Sequence, residues 1–364
     1  MKTYTVHPFR PFTQSFVSKK CFIATVLLLG FLAAAPSMLS RGALGEELPR
    51  LVLSANDRLV SLRQTTVPPE TVSEYPLPSE LLWEYQRAPN PRKAYVRYWT
   101  TPRGLNILRD APADHLHHHG LMFAIGVNDI EFWAEDPKSG FQRDGGLIRS
   151  ATHVEAKAGE APRRTATVSH HLNWLGPDGQ KLFLREVREL QWVDGKTQAD
   201  GRPFRMILWK SRLSPPESAK AVRLWGRPYF GLGVRFIEAM DKTGEFINAN
   251  GQRGVEGTNG SRALWCAYQV TAGNHPVTVA MLDWPGNPRH PATWFTMVNP
   301  FAYMSATLAL HQEPLELQEG EDLVLLYGVA VWDEIVPPEL ITRFFDEEFK
   351  PAAESLMSEA RKSN

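Results

Sequence analysis

Short apolar runs separated by turn residues constrain this chain more than any other feature. Stretches such as "GLMFAIGV", "TATVSHHLNWL", "FRMILWKSRL", "YFGLGVRFIEA", "ALWCAYQV", "VTVAMLDW" and "LVLLYGVAVW" are rich in Val, Ile, Phe, Trp and Tyr. Gly, Pro, Asn and Asp lie between them, in turns such as "GPDGQ" and "VDGK". Strands of this length at short spacing predict an all-β protein, a large antiparallel β-sandwich or a barrel. In "KLFLREVRELQWV" the spacing turns Leu182, Leu184, Val187, Leu190 and Val193 inward, with the charges between them facing solvent. Helical spacing enters only at the end, where Leu340, Ile341, Phe344, Phe345 and Phe349 predict one short C-terminal helix from about residue 337. The 28 prolines suit such a turn-rich β chain better than a helical one. No linker or repeat divides residues 50–335, and residues 46–364 read as one domain.

The first 20 residues are basic, with Lys2, Arg10, Lys19 and Lys20, and "CFIATVLLLGFLAAA" follows from Cys21 to Ala35. Fifteen apolar residues are short for a membrane span, which needs about 20, and the order is that of a secretory signal peptide. Cleavage after "ALG" makes residues 1–45 the leader; a retained N-terminal anchor is the alternative. The expected product is exported, periplasmic or secreted, and has no further span. Cleavage removes five basic residues and no acidic one, leaving 35 Lys and Arg against 40 Asp and Glu, a net charge of −5. Such a surface excludes the basic footprint of a nucleic-acid binder. Cys266 is then the lone cysteine, so no internal disulfide forms, and its apolar setting reads as a buried, inert thiol.

"DHLHHHGLMF", Asp114 to Phe123, places four of the 11 histidines within five positions. Extended, it would send His115, His117 and His119 to one side and Asp114, Leu116 and His118 to the other. The His115 and His117 pair could then chelate a divalent metal, with a third ligand from elsewhere. The competing reading is acid–base work at a sugar-like substrate, opposite Asp114, Glu186, Glu256 or Asp283. A third is a polar loop that caps the apolar strand after it.

"LDWPGNPRHPATWFTMVNPF" is a second candidate, a proline-pinned loop carrying Asp283, Asn287, Arg289, His290 and Trp294. Arg suits carboxylate, phosphate or vicinal hydroxyls, and Trp suits a sugar face; the bland alternative is a structural turn with Arg289 paired to Asp283. "INANGQRGVEGTNGSRALW" adds Glu256 and Arg262, and its glycines follow no nucleotide-binding spacing.

Together these stretches resemble a bacterial family catalogued both as a domain of unknown function and as "methane oxygenase PmoA". The resemblance runs from about Ala94 to Trp332. Asp114, His115, His117, His118, Gly120, Glu256, Arg262, Asp283, Asn287, Arg289, His290 and Trp294 match its pattern. Three positions depart: His119 stands where Arg is usual, and Trp284 and Phe295 each stand where His is usual. Membrane-bound methane oxidation sits poorly with a chain whose only apolar segment is a leader. The family's β-rich character resembles instead the sandwich group of aldose mutarotases and polysaccharide lyases.

The resulting expectation is an exported, galactose-mutarotase-like sandwich that acts on or binds a carbohydrate or sugar-derived small molecule, as an epimerase, lyase or hydrolase would. His117 and His118 transfer protons or hold a metal, with Glu256 or Asp283 as partner base. Asp114, Asn287, Arg289, His290, Trp294 and Arg262 hold substrate, and the two loops meet in one pocket. Non-catalytic glycan binding and metal-dependent oxidation are the alternatives.

Overall fold

Strand propensity and alternation build two eight-stranded antiparallel sheets. The computed structural model describes residues 48–68, 79–87, 92–155 and 162–362; the leader expected over residues 1–45 lies outside the described residues. In the first sheet the strand order is Arg50–Ala55, Leu59–Thr65, Glu80–Gln86, Tyr95–Trp99, Leu121–Ala124, Gly231–Arg235, Tyr303–Thr307 and Thr293–Met297. In the second it is Glu245–Asn248, Trp265–Ala272, His275–Asp283, Leu323–Trp332, Pro203–Ser214, Leu182–Lys196, Arg163–Leu175 and Phe141–Glu155. A small four-stranded sheet, which includes Ala221–Trp225 and Gly126–Val127, completes an all-β sandwich.

Side chains alternate across a strand with a period of two, and the near-continuous run "FRMILW" shows why alternation alone misleads. Ile207 and Trp209 share the core between the sheets with Val60, Leu62 and Trp83. Phe204, Met206 and Leu208 point the other way, onto Phe344, Phe345, Phe349 and Ala353. Those four belong to the C-terminal helical segment, Pro338–Phe344, Phe345–Phe349 and Lys350–Lys362, which starts where the spacing predicts. Pro338 occupies the first turn, where a missing N–H costs nothing. Among the described residues, no helix is long and apolar enough to cross a membrane.

One expectation is corrected. The inward positions of Leu182–Lys196 are Leu184, Glu186, Arg188, Leu190 and Trp192, so two charges face the core rather than solvent. They neutralise each other: Arg188 donates to both oxygens of Glu186 through Nε (2.8 Å) and Nη2 (2.9 Å). Trp174 Nε1 (2.9 Å) and Ser211 Oγ (2.6 Å) also donate to Glu186, and the Arg188 guanidinium lies 4.4 Å over the Trp209 ring. A buried carboxylate with four donors and one cation is tolerable where an isolated one is not. Glu186 is therefore structural. Cys266 is buried as expected, and burial raises its thiol pKa.

Candidate functional site

The histidine-rich segment is a pair of turns, not a strand. His115 N–H bonds the Pro112 carbonyl and His118 N–H bonds the His115 carbonyl, both at 2.9 Å. Turning the chain in threes stacks His115 on His118 with ring centroids 4.7 Å apart, and His117 meets His118 edge-on at 4.6 Å. The expected strand-borne pair is thereby replaced by a cluster of three imidazoles.

The fourth imidazole leaves the cluster. His119 is buried, stacks on Tyr95 at 4.3 Å, and its two ring nitrogens meet Asp110 (2.7 Å) and Glu135 (3.1 Å). Burial would raise the Glu135 pKa, but His119 and Lys93 outweigh it and hold the group near about 2. Lys93 Nζ also donates to the Trp133 carbonyl at 2.6 Å, so this network braces Trp133.

His115, His117 and His118 form one wall of a cavity of about 450 Å³. The rest is almost wholly aromatic: Trp133, Tyr229, Phe295, Phe301 and Tyr303, with Met297 and Pro300. Neighbouring strands deliver this wall, because Phe295 and Tyr303 lie on paired strands in register with Ser305 and Arg235. Tyr303 needs Gly233 beside it, since a Cβ there would lie 1.7 Å from its hydroxyl oxygen. Tyr303 also stacks on His118, with centroids 5.7 Å apart.

Two of the three imidazoles are electrostatically poised. His118 is 7% exposed and its Nδ1 has no hydrogen-bond partner among the described residues. Burial, with the neighbouring His117 and His115, pushes its pKa down to about 2. Burial also lowers that of His117. Both rings are therefore neutral at pH 7. His115 Nδ1 instead donates to Asp114 at 2.9 Å, and this bond lowers the Asp114 pKa. A carboxylate that fixes one imidazole nitrogen leaves the other free to accept a proton.

The second loop does not join this cavity as a unit. Asp283 is buried and accepts from His290 Nδ1 (2.6 Å), Asn287 Nδ2 (2.8 Å) and the Ala292 amide (2.8 Å). Burial raises its pKa, with those bonds opposing. Asn287 also exchanges bonds with the Leu326 backbone. Arg289 does not pair with Asp283; it donates to the carbonyls of Leu308 (2.9 Å), Glu313 (2.6 Å) and Pro314 (3.3 Å). Arg262 donates to those of Pro291, Arg289 and His290. Both arginines border a separate cleft of about 270 Å³ with Thr293 and Gln312.

Trp294 is 1% exposed, with its indole nitrogen on the Ala263 carbonyl (2.9 Å), and it offers no open face for a sugar. Glu256 is exposed on the short helix Gly254–Thr258 and does not line the histidine cavity. Trp284 packs 6.3 Å from Phe349 on the helix-covered side of the second sheet. Of the two positions where the resemblance leads one to expect histidine, Phe295 lines the histidine cavity and Trp284 does not.

No group of three or more His, Cys, Asp or Glu among the described residues is placed to hold a metal ion. The described residues thus offer no preformed three-ligand set for the divalent-metal reading. The aromatic wall was the part missed: "EFW", "PYFG" and "NPFAY" advertise aromatics, but strand register decides which of them face inward.

No curated protein matches the chain. Among solved structures it is similar to a GH36 alpha-galactosidase, AgaA, from Geobacillus stearothermophilus in complex with raffinose, at 13% identity and a TM-score of 0.32. The match covers 78% of this chain and 41% of that one, so the chain spans well under half of that enzyme. A family profile matches residues 77–346, a stretch containing the histidine turns and every residue of the aromatic wall. The chain belongs to that family, a family of unknown function (DUF6807).

Proposed function

We propose that this is an exported carbohydrate-active protein whose ligand, a sugar or sugar-derived small molecule, occupies the histidine–aromatic cavity. One observation carries the reading: three clustered imidazoles form one wall of a cavity whose other walls are aromatic rings. Its volume lies within the ordinary range for small-molecule sites, roughly 300–1,000 Å³. Aromatic faces take the C–H face of a sugar ring, and neutral imidazoles exchange hydrogen bonds with its hydroxyls.

Within this reading His115 is the proton acceptor. Asp114 holds its Nδ1–H, leaving Nε2 to take a proton, and the carboxylate stabilises the imidazolium that forms. His117 and His118, neutral, orient the substrate. Proton transfer at a sugar carbon or hydroxyl, as in an epimerase or lyase, is the chemistry such a pair performs.

The test combines calorimetric binding of a sugar panel with NMR detection of deuterium uptake from D2O, in wild type, His115→Gln and Asp114→Asn. The expected result is binding with exchange in wild type and loss of exchange, about 100-fold or more, in both variants. Failure of every sugar to bind would overturn the proposal. The second reading, glycan binding without turnover, draws on Phe295, an aromatic ring where the family pattern has histidine; binding without any exchange would select it.

A further inference from the structure

A second cleft, of about 410 Å³, shares Pro300 and Phe301 with the histidine cavity and is lined otherwise by charged side chains. The Phe301 ring lines both, with the His115 ring 4.8 Å from it and the Arg235 guanidinium 3.8 Å from it. Asp114 lines the charged cleft while its partner His115 lines the aromatic one, so the proposed proton-transfer pair stands at the junction.

The charges in this cleft are unequally committed. Asp241 accepts from the Ala302 amide (2.7 Å) and from Arg235 (3.3 Å), and Arg235 also bonds the Ala302 carbonyl; both are fixed parts of the wall. Arg109 pairs with Glu238 at 3.2 Å, a carboxylate 81% exposed and therefore weakly held, and reaches the wall carboxylate Asp241 at 3.5 Å. Lys242 is exposed and has no ion pair among the described residues. Its backbone sits at φ +66°, a conformation most residues avoid, held by a 2.9 Å bond from its amide to the Val298 carbonyl. Beside the sugar cavity, Lys242 is thus presented to an incoming anion without an ion pair of its own among the described residues, and Arg109 by exchanging its long contacts to Glu238 and Asp241.

We propose that this cleft is the subsite for an acidic group on the ligand, and that the ligand is a carboxylate-bearing sugar of the uronate class. The inference rests on the reading of the first cavity as a sugar site. The sugar ring lies against the aromatic wall and its carboxylate crosses Phe301 to meet Arg109 and Lys242. Arg receives a carboxylate with two parallel N–H bonds, and Lys adds a point charge. Asp114, Glu238 and Asp241 line the same cleft and repel a doubly charged phosphate more strongly than a singly charged carboxylate.

The experiment is calorimetric titration of the mature protein with galacturonate and glucuronate, with galactose and glucose as neutral counterparts, and with galactose 1-phosphate. Wild type is compared with Lys242→Gln and Arg109→Gln, each checked by thermal melting. Each uronate is expected to bind about tenfold more tightly than its neutral counterpart. That ratio should fall about threefold or more in each variant, and fall also in 1 M salt, where the Debye length is about 3 Å. Equal affinity for uronates and neutral sugars would overturn this inference and leave the sugar site standing. A preference undiminished in both variants, or tighter binding of the phosphate, would also overturn it. Failure of all the sugars to bind would overturn both readings.

Discussion

A buried neutral histidine makes stability depend on pH, and His118 supplies the sharpest case. In the unfolded chain its imidazole titrates near 6.5. In the folded protein it is 7% exposed, has an unpartnered Nδ1, and its pKa is pushed down to about 2. Below pH 6.5 the unfolded chain therefore binds a proton that the folded chain refuses, and stability falls as pH drops toward the folded value. The slope is about 1.4 kcal/mol per pH unit, so about 2.7 kcal/mol from His118 has gone by pH 4.5 relative to pH 8. His170, buried between Tyr85 and Asp144 with a pKa pushed down to about 4, adds a similar loss over that window. His118→Phe removes the first contribution while keeping an aromatic ring among His115, Phe301 and Tyr303. Urea unfolding followed by tryptophan fluorescence at pH 8 and pH 4.5 measures it. The variant should gain about 2–3 kcal/mol on wild type between the two pH values. A stability difference constant within about 0.5 kcal/mol would refute the reasoning, because it would mean that His118 protonates in the folded state as readily as in the unfolded one.

Glu186→Gln should cost about 3–5 kcal/mol by leaving the Arg188 charge uncompensated in the core, and Glu186→Met with Arg188→Met should recover most of it; denaturant midpoints of wild type and the two variants decide this. Gly233→Ala places a Cβ 1.7 Å from the Tyr303 hydroxyl oxygen, so about 1–3 kcal/mol of overpacking and a displaced cavity wall are expected. A melting temperature and sugar affinity both equal to wild type would contradict that packing. Phe295→His should weaken sugar binding by replacing an apolar phenyl face in the cavity with a smaller polar imidazole, whereas Trp284→His should lower stability and leave affinity within about twofold, because Trp284 packs against Phe349; calorimetry on both variants separates the positions.

These contrasts show where sequence reasoning reached and where it stopped. Alternation exposed the strands and the 3.6-residue period exposed the C-terminal helix, because both are local consequences of burying one face. The same logic assigned Glu186 and Arg188 to solvent, since a hydrophobicity pattern treats a charge as an outward residue. Only the spatial meeting of Glu186 with Arg188, Trp174 and Ser211 makes the inward choice tolerable. The four histidines were legible as a cluster but not as an arrangement. Two consecutive turns put His115 over His118 and send His119 to Asp110 and Glu135, partners nine residues before it and 16 after it in the chain. In the proline-rich loop, residue types suited to substrate proved equally suited to tying a loop: Arg262 and Arg289 use their N–H groups on backbone carbonyls, and Asp283 uses its oxygens on His290, Asn287 and Ala292. An arginine or aspartate in a turn-rich segment satisfies stranded backbone groups as readily as a ligand, and composition cannot separate the two. Phe295 and Trp284 illustrate the remaining step. The two lie in one short stretch, yet one strand's register turns Phe295 to Tyr303 and the histidine cavity, while Trp284 follows the end of another strand onto the helix. A site that neighbouring strands assemble becomes visible only once register is known, since a shift of one residue exchanges the faces.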